Sequence, residues 1–396
     1  MNNSKLRRPH KRKSSAFQVT LLIFFSIMIV TAVFAGGYVL RSILVKPTTG
    51  GDENNTLYTG ASENNTAQTT ENSAPAVSGN KTKGYTRRDN VYNFLLIGRD
   101  KAGMNTDVMI LASFDCTTGK ISMCQMPRDT YAEYNGTYGK LNAAFASFYS
   151  QAKHDGSADP TKAGLEGLTN LFQTSLNIRI DYYMMIYLDG FKAVVNRIGG
   201  VDMYVPYDMD YEDPYQDLYI HIKQGQQTLM GDDAEGFVRF RSGYIQADIG
   251  RADAQKMFIS AFIAKVKASV SVPMIAGIAA DVLPNLITDM PLNDCIYFAK
   301  AALSADLSNI TMMTMPGTSY KNGRFYIMER KSMYNIVNTY LNVYTENIPE
   351  SYFDVDRIFT DDSGSEIDAL YTSGDGEVVA YSAEDVTENG IDIGLK

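Results

Sequence analysis

At 396 residues the chain is long enough for one large domain or two ordinary ones, with segments left outside the core. Its composition, 45% hydrophobic and 20% charged, excludes a fibrous or wholly disordered protein. The net charge of -9 is unevenly spread: residues 346–396 carry 14 Asp and Glu against Arg357 and Lys396, a net of -12, so the rest of the chain sums to about +3. Six positive charges fall at Lys5, Arg7, Arg8, Lys11, Arg12 and Lys13, which leaves the middle mildly acidic and gives no support to a nucleic-acid-binding surface. Cys116, Cys124 and Cys295 form no CxxC pair. The first two flank a hairpin turn without lying opposite each other, so all three read as free thiols. His10, His154 and His221 are too scattered for a zinc site.

Residues 1–16 form a basic tail, and Phe17 to Leu40 are uncharged and apolar, long enough to cross a bilayer core of about 30 Å as a helix. The basic residues on its amino side put that tail in the cytoplasm and everything after Arg41 outside, as a single-pass protein of the cell membrane. A cleaved signal peptide is the competing reading, but the apolar stretch exceeds the usual h-region of about 7–15 residues. Residues 41–90, dominated by Thr, Asn, Ser, Gly and Ala, read as a flexible extracellular stalk.

From Val91 the texture changes. Tyr92–Ile97, Asp107–Phe114 and Lys120–Met126 have strand patterns, with a turn at Thr117-Thr118-Gly119. Helices are expected at about Leu141–Ser150, Gly164–Ser175 and Gly190–Ile198, the last ended by Gly199-Gly200, with strands at Tyr182–Tyr187 and Val201–Val205. A long helix from about Ile249 to Ala268, a strand at Ile310–Met315 and helices at Leu292–Leu303 and Lys331–Thr345 complete one α/β or α+β sheet domain over 91–345. Residues 346–396, acidic with short isolated apolar pairs, are expected to form a mostly disordered tail.

Four constellations carry candidate chemistry. Asp100 ends the first strand and Asp107 begins the second; a hairpin brings them near enough to share one cation, although Asp is also an ordinary turn residue. Arg128 and Asp129 follow Pro127 at the sheet margin, either as a functional pair or as a surface ion pair. In Val238-Arg239-Phe240-Arg241, an extended chain would set the guanidiniums of Arg239 and Arg241 on one face, where they match the oxygens of a pyrophosphate. Asp248, Arg251 and Gln255 stack along one helix stripe near its amino end. Together they form an inventory for holding a diphosphate and a divalent metal.

The succession NFLLIGRD…TDVMILASFD, QMPRDTY, GKLNAAF, DYYMMIYLDGFKAVVNRIGGVDMYV, FVRFR and DIGRADAQ, from Asn93 to Val266, resembles the LytR-CpsA-Psr family. The resemblance implies a three-layer α/β/α domain whose central mixed sheet and flanking helices enclose a tunnel for a polyprenyl chain. It also implies a phosphotransferase that moves a polyprenyl-diphosphate-linked glycopolymer, such as teichoic acid or capsule, onto peptidoglycan in a Gram-positive envelope. A hydrolase of the same diphosphate, or a non-catalytic lipid-phosphate-binding regulator of wall assembly, are the rival readings. By motif position, Asp100 and Asp107 would hold Mg²⁺, or Mn²⁺ in its place. Arg128, Arg239, Arg241, Arg251 and Gln255 would contact phosphate with Asp248 as companion acid, and Asp107 or Asp129 would accept a proton. Asn105 and Ala254 stand where the family commonly has arginines.

Overall fold

The computed structural model describes residues 85–99, 103–214, 218–240, 247–269, 283–303, 305–321, 323–353, 369–370, 372 and 375–389. The anchor and most of the stalk expected from the sequence lie outside these residues. No helix among the described residues is long and apolar enough to cross a membrane.

In chain order the strands are β1 (Val91–Arg99), β2 (Thr106–Asp115), β3 (Lys120–Gln125), the hairpin β4 (Tyr131–Tyr134) and β5 (Thr137–Lys140), β6 (Tyr182–Tyr187), β7 (Val201–Val205), β8 (Met209–Asp213), β9 (Leu218–Ile222), β10 (Gly225–Leu229), β11 (Leu286–Thr288), β12 (Ile310–Thr314), β13 (Gly317–Tyr320), β14 (Phe325–Met328) and β15 (Ala380–Ser382). The helices are α1 (Ala144–His154), α2 (Pro160–Leu176), α3 (Leu188–Arg197), α4 (Gly231–Arg239), α5 (Ala247–Ser269), α6 (Leu292–Leu303), α7 (Arg330–Ile336) and α8 (Ala383–Asn389). Seven strands form one sheet in the order β11-β6-β1-β2-β3-β12-β15. It is mixed: β1 runs parallel to β6 and β3 parallel to β12, while the other neighbours are antiparallel.

β1 is buried along its whole length, which an alternating apolar and polar strand could not tolerate. Its side chains divide between two cores. Tyr92, Phe94 and Leu96 join α3, α4, α5 and α6 on one face. Leu95 and Ile97 join α1, α2 and α7 on the other. Helices on both faces make the three layers expected from the sequence.

Helix α2 carries its start and stop signals locally: Asp159 accepts from the Lys162 amide, Pro160 sits in the first turn, and Asn177 ends the helix in the left-handed region at φ 51°. Helix α3 ends at Gly199-Gly200, with φ 80° and 81°. A Cβ at Gly200 would also meet Thr228 Cγ2 at 2.5 Å and the Leu229 carbonyl oxygen at 3.0 Å. Gly200→Ala is therefore expected to destabilise the protein by more than about 1 kcal/mol, read from denaturant unfolding, because both backbone and space refuse the methyl.

Three elements depart from the sequence expectations. The compact unit begins before Val91, since Tyr85 is buried and Arg87 bridges to Tyr344. After α3, β7 pairs with β10 and β8 with β9 in two small two-stranded sheets, where only β7 is legible from pattern. The acidic tail, expected to stay out of the core, adds β15 to the edge of the sheet against β12 and buries Ala383 and Val386 in α8. Its apolar pairs looked isolated in the sequence because the surface that receives them lies some 70 residues earlier, on β12.

None of the three cysteines forms a disulfide, as expected. Burial, reinforced at Cys116 by the Asp115 carboxylate, pushes the Cys116 and Cys124 thiols up to about 12. Both thiols are thus expected to react with an aromatic disulfide reagent at neutral pH only after unfolding. Stoichiometric labelling of Cys124 in the native protein would contradict this.

Candidate active site

The register of β1 on β2 breaks where the site begins. Gly98 pairs with Val108 and Arg99 with Thr106, so Asp107 is the extra residue of a bulge. A bulge re-aims a side chain at the end of a strand without disturbing the ladder behind it. The same register sets position 107 beside the end of β1, the residue after which is Asp100. Asp100 itself lies outside the described residues.

Arg128 follows Pro127 at the end of β3, and its Nη1 donates to Asp107 Oδ1 at 3.0 Å. Its Nε is 3.8 Å from Asp129 Oδ1, which also accepts from Lys140 Nζ at 2.7 Å. This is no surface pair: the Arg128 and Asp107 side chains are only 12% and 4% exposed. Backbone bonds lock the cluster, with the Leu141 amide donating to the Thr130 carbonyl and the Asn142 amide to the Arg128 carbonyl. Thr106 Oγ1 adds a bond to the Asn142 carbonyl at 3.3 Å. Lys140, at the end of the β4–β5 hairpin, was not singled out in the sequence, although it stands within the GKLNAAF block.

The segment read as extended is helical. Arg239 is the last residue of α4, and its Nη1 bonds Glu235 Oε1 one turn earlier; the chain becomes extended only at Phe240. The alternation of Val238, Arg239 and Phe240 suggested a strand, but Ala234, Phe237 and Val238 repeat at helical spacing behind Asp232 and Asp233 in the first turn. Read so, Glu235 would have been found at i, i-4 from Arg239. Lys192 of α3 completes the cluster, 3.3 Å from Glu235 and 3.2 Å from Asp232. Burial pulls the Lys192 ammonium down, but those two carboxylates outweigh it and raise its pKa. Arg241 lies outside the described residues, so the shared face of Arg239 and Arg241 is not described.

Helix α5 spans Asp248, Arg251 and Gln255, as expected; the Asp248 side chain lies outside the description. Arg251 is 0% exposed, the largest side chain among those fully buried. Gln255 Oε1 accepts from Gln125 Nε2 at 2.7 Å, while Gln255 Nε2 is buried with no protein acceptor among the described residues. A native protein rarely strands a buried donor unless something else takes it.

A narrow apolar cavity lies between the sheet and α5. Val108 of β2, Met123 of β3 and Met312 of β12 form its floor, Phe258 and Ile259 of α5 its roof, and Val238 of α4 one side. Its polar exceptions are Gln125, Gln255 and Lys256. Three site residues adjoin this apolar space along the chain: the acid Asp107 is next to Val108, Arg239 is next to Val238, and Arg251 is one turn before Gln255. An apolar cavity with a few convergent polar groups is the usual form of a ligand site.

The chain belongs to the LytR_cpsA_psr family, whose model matches residues 54–342. Among curated relatives it is 26% identical over 218 residues to the Bacillus subtilis polyisoprenyl-teichoic acid–peptidoglycan teichoic acid transferase TagV, covering 54% of this chain and 52% of that one. The chain thus spans about half of that relative's length. It is 29% identical over 261 residues to a transferase named TagU from Oceanobacillus iheyensis, covering 64% of this chain and 76% of the relative. A crystal structure of a Streptococcus agalactiae protein shares the fold with a TM-score of 0.51 at 23% identity, covering 63% of this chain and 86% of that one.

Proposed function

We propose that the protein is a membrane-anchored phosphotransferase, with its catalytic domain outside the cell, that moves an anionic glycopolymer such as teichoic acid or capsule from a polyprenyl diphosphate to peptidoglycan. The observation that carries this reading is an apolar cavity close to a set of cations: the buried Arg239 at the end of α4 and Arg251 on α5, with the partly buried Arg128 and Lys140 beside the bulge. A lipid diphosphate has the matching halves. The names of the curated relatives, teichoic acid transferases, support the same substrate class.

In this reading the polyprenyl chain enters the cavity, and the buried Gln255 Nε2 and the arginines receive phosphate oxygens. A peptidoglycan hydroxyl attacks the sugar-side phosphorus. The new P–O bond makes a phosphodiester, the bond to the bridging oxygen breaks, and polyprenyl phosphate leaves. Asp107 or Asp129 takes the hydroxyl proton. Fixed cations in a water-poor site supply most of the stabilisation of the developing charge.

Asp100 and Asp107 would hold Mg²⁺, or Mn²⁺, whose contribution is to neutralise charge on the phosphates. The chain fits that role: Asp107 is held at a bulge beside the strand end that precedes Asp100, and Mg²⁺ needs only one or two carboxylates besides water and phosphate.

Purified protein given a lipid-linked glycan, Mg²⁺ and peptidoglycan should yield a phosphodiester-linked product. Unchanged yield from Arg241→Ala and Asp107→Ala would sink the assignment, and release of glycan phosphate independent of acceptor would mark a hydrolase instead.

A further inference from the structure

The cavity lies over three consecutive strands of the sheet, β2, β3 and β12, and the next strand in order is β15. β15 and α8 stand at residues 380–389, beyond residue 342, where the family match ends. They stand directly behind the cavity's lining on its sheet-edge side. Met312 and Met313, both lining it, pair directly with Tyr381 and Ala380. Helix α8 packs on α5, the cavity's roof, and contributes Ala383 and Val386 to the same core. A side-chain contact joins β15 to the roof. The Lys256 Nζ lies 5.2 Å from the centre of the Tyr381 ring and 2.7 Å from Asp253 Oδ1. Lys256 lines the cavity, yet its side chain is only 6% exposed. An ammonium buried beside apolar walls is tolerable where a carboxylate and an aromatic face share its charge.

Resting on the lipid-diphosphate reading above, we propose that the C-terminal unit Ala380–Asn389 is the lateral wall of the lipid cavity, and that Tyr381, by holding Lys256 against that wall, determines which polyprenyl chain lengths the protein accepts. The ring stands behind two lining residues, 5.2 Å from the Lys256 ammonium and paired in register with Met312, so its loss lets them move outward and widens the cavity sideways. Long chains then gain room while short ones gain nothing. Tyr381 acts through the wall and touches no reacting atom; it is a specificity determinant.

The test is equilibrium binding of geranyl phosphate and undecaprenyl phosphate, in detergent micelles, to the full chain. Tyr381→Ala is expected to shift the ratio of the two affinities towards the long chain by about tenfold. Tyr381→Phe, which keeps the ring, should retain the parent ratio. Tyr381→Leu serves if the alanine variant does not fold, with the same expected direction. Thr311 and Ser382 are directly paired, so a disulfide between Thr311→Cys and Ser382→Cys would pin β15 to the sheet. A fixed wall predicts the parent ratio in that cross-linked protein. Folded Tyr381→Ala or Tyr381→Leu proteins with the parent ratio would overturn the wall and leave the function standing, as would a cross-link that changes the ratio, since the unit would then move. A parent protein that binds neither lipid would overturn both.

Discussion

Arg128→Ala is expected to lower the rate of glycan transfer by about 10²–10³-fold, the usual cost of removing one fixed charge aimed at a transition state. The same substitution leaves Asp107 buried without the guanidinium that now meets it at 3.0 Å, so stability should fall by about 3–5 kcal/mol. Those two losses are separable. In Arg128→Ala with Asp107→Asn the stranded charge is gone, and most of the stability should return, while the transfer rate stays low because the site has then lost Asp107 as well as Arg128. Denaturant unfolding and transfer kinetics on the three proteins decide the matter. Recovery of activity together with stability would show that Arg128 serves folding alone.

A loss of stability of the same size is expected far from that cluster, at Asp181. Its side chain is 0% exposed and takes Arg87 bidentately, Nη1 to Oδ1 and Nη2 to Oδ2, both at 2.9 Å. Arg179 Nε at 2.8 Å and the Asn93 amide at 2.9 Å complete the set. Burial pulls the Arg87 guanidinium down, but the facing carboxylate of Asp181 more than restores it. Asp181→Ala removes the shared anion and leaves two guanidiniums facing each other beside β1. A loss of about 3–5 kcal/mol follows from breaking such a buried network. Asp181→Asn, which keeps the shape and some hydrogen bonds, should lose less. The unfolding midpoint in denaturant measures both, and an unchanged midpoint for Asp181→Ala would contradict the account. Because Arg87 precedes β1 and Asp181 precedes β6, the clasp also ties the first residues of the compact unit to the centre of the sheet.

The two predictions differ in how far the sequence reveals them. Arg128 and Asp107 were legible as separate candidates, because strand ends and a proline bracket them, but their meeting was not: the short hairpin connection set Asp107 beside Asp100, and Arg128 was read beside Asp129. The burial that excludes a surface ion pair was not legible, since it depends on the β4–β5 hairpin and on Lys140 folding over the pair. Asp181 carried no signal at all. An acid between an arginine and a strand looks like a turn residue until Arg87, 94 positions earlier, is placed beside it.

Helix α4 shows the opposite failure. Its local pattern held enough information, with acids in the first turn and apolar residues at helical spacing, but a short alternation at its end outweighed them. Arg239 is consequently fixed to Glu235 by the helix and not by a strand face. Local rules compete over windows of a few residues, and tertiary packing decides between them.

The sequence by itself determined the elements and their chemistry: buried strands at 91–99 and 106–115, the helix bearing Arg251 and Gln255, the thiols outside any disulfide, and an inventory of arginines and aspartates in family order. Those features are encoded within a few turns or strand lengths, where periodicity and capping act. Only the tertiary structure decided that the cations adjoin an apolar cavity, that a bulge sets the aim of Asp107, and that the acidic tail returns to close the sheet beside β12. Each of these joins residues far apart in the chain, and their meeting is fixed by which faces must be buried together, a condition no local window contains.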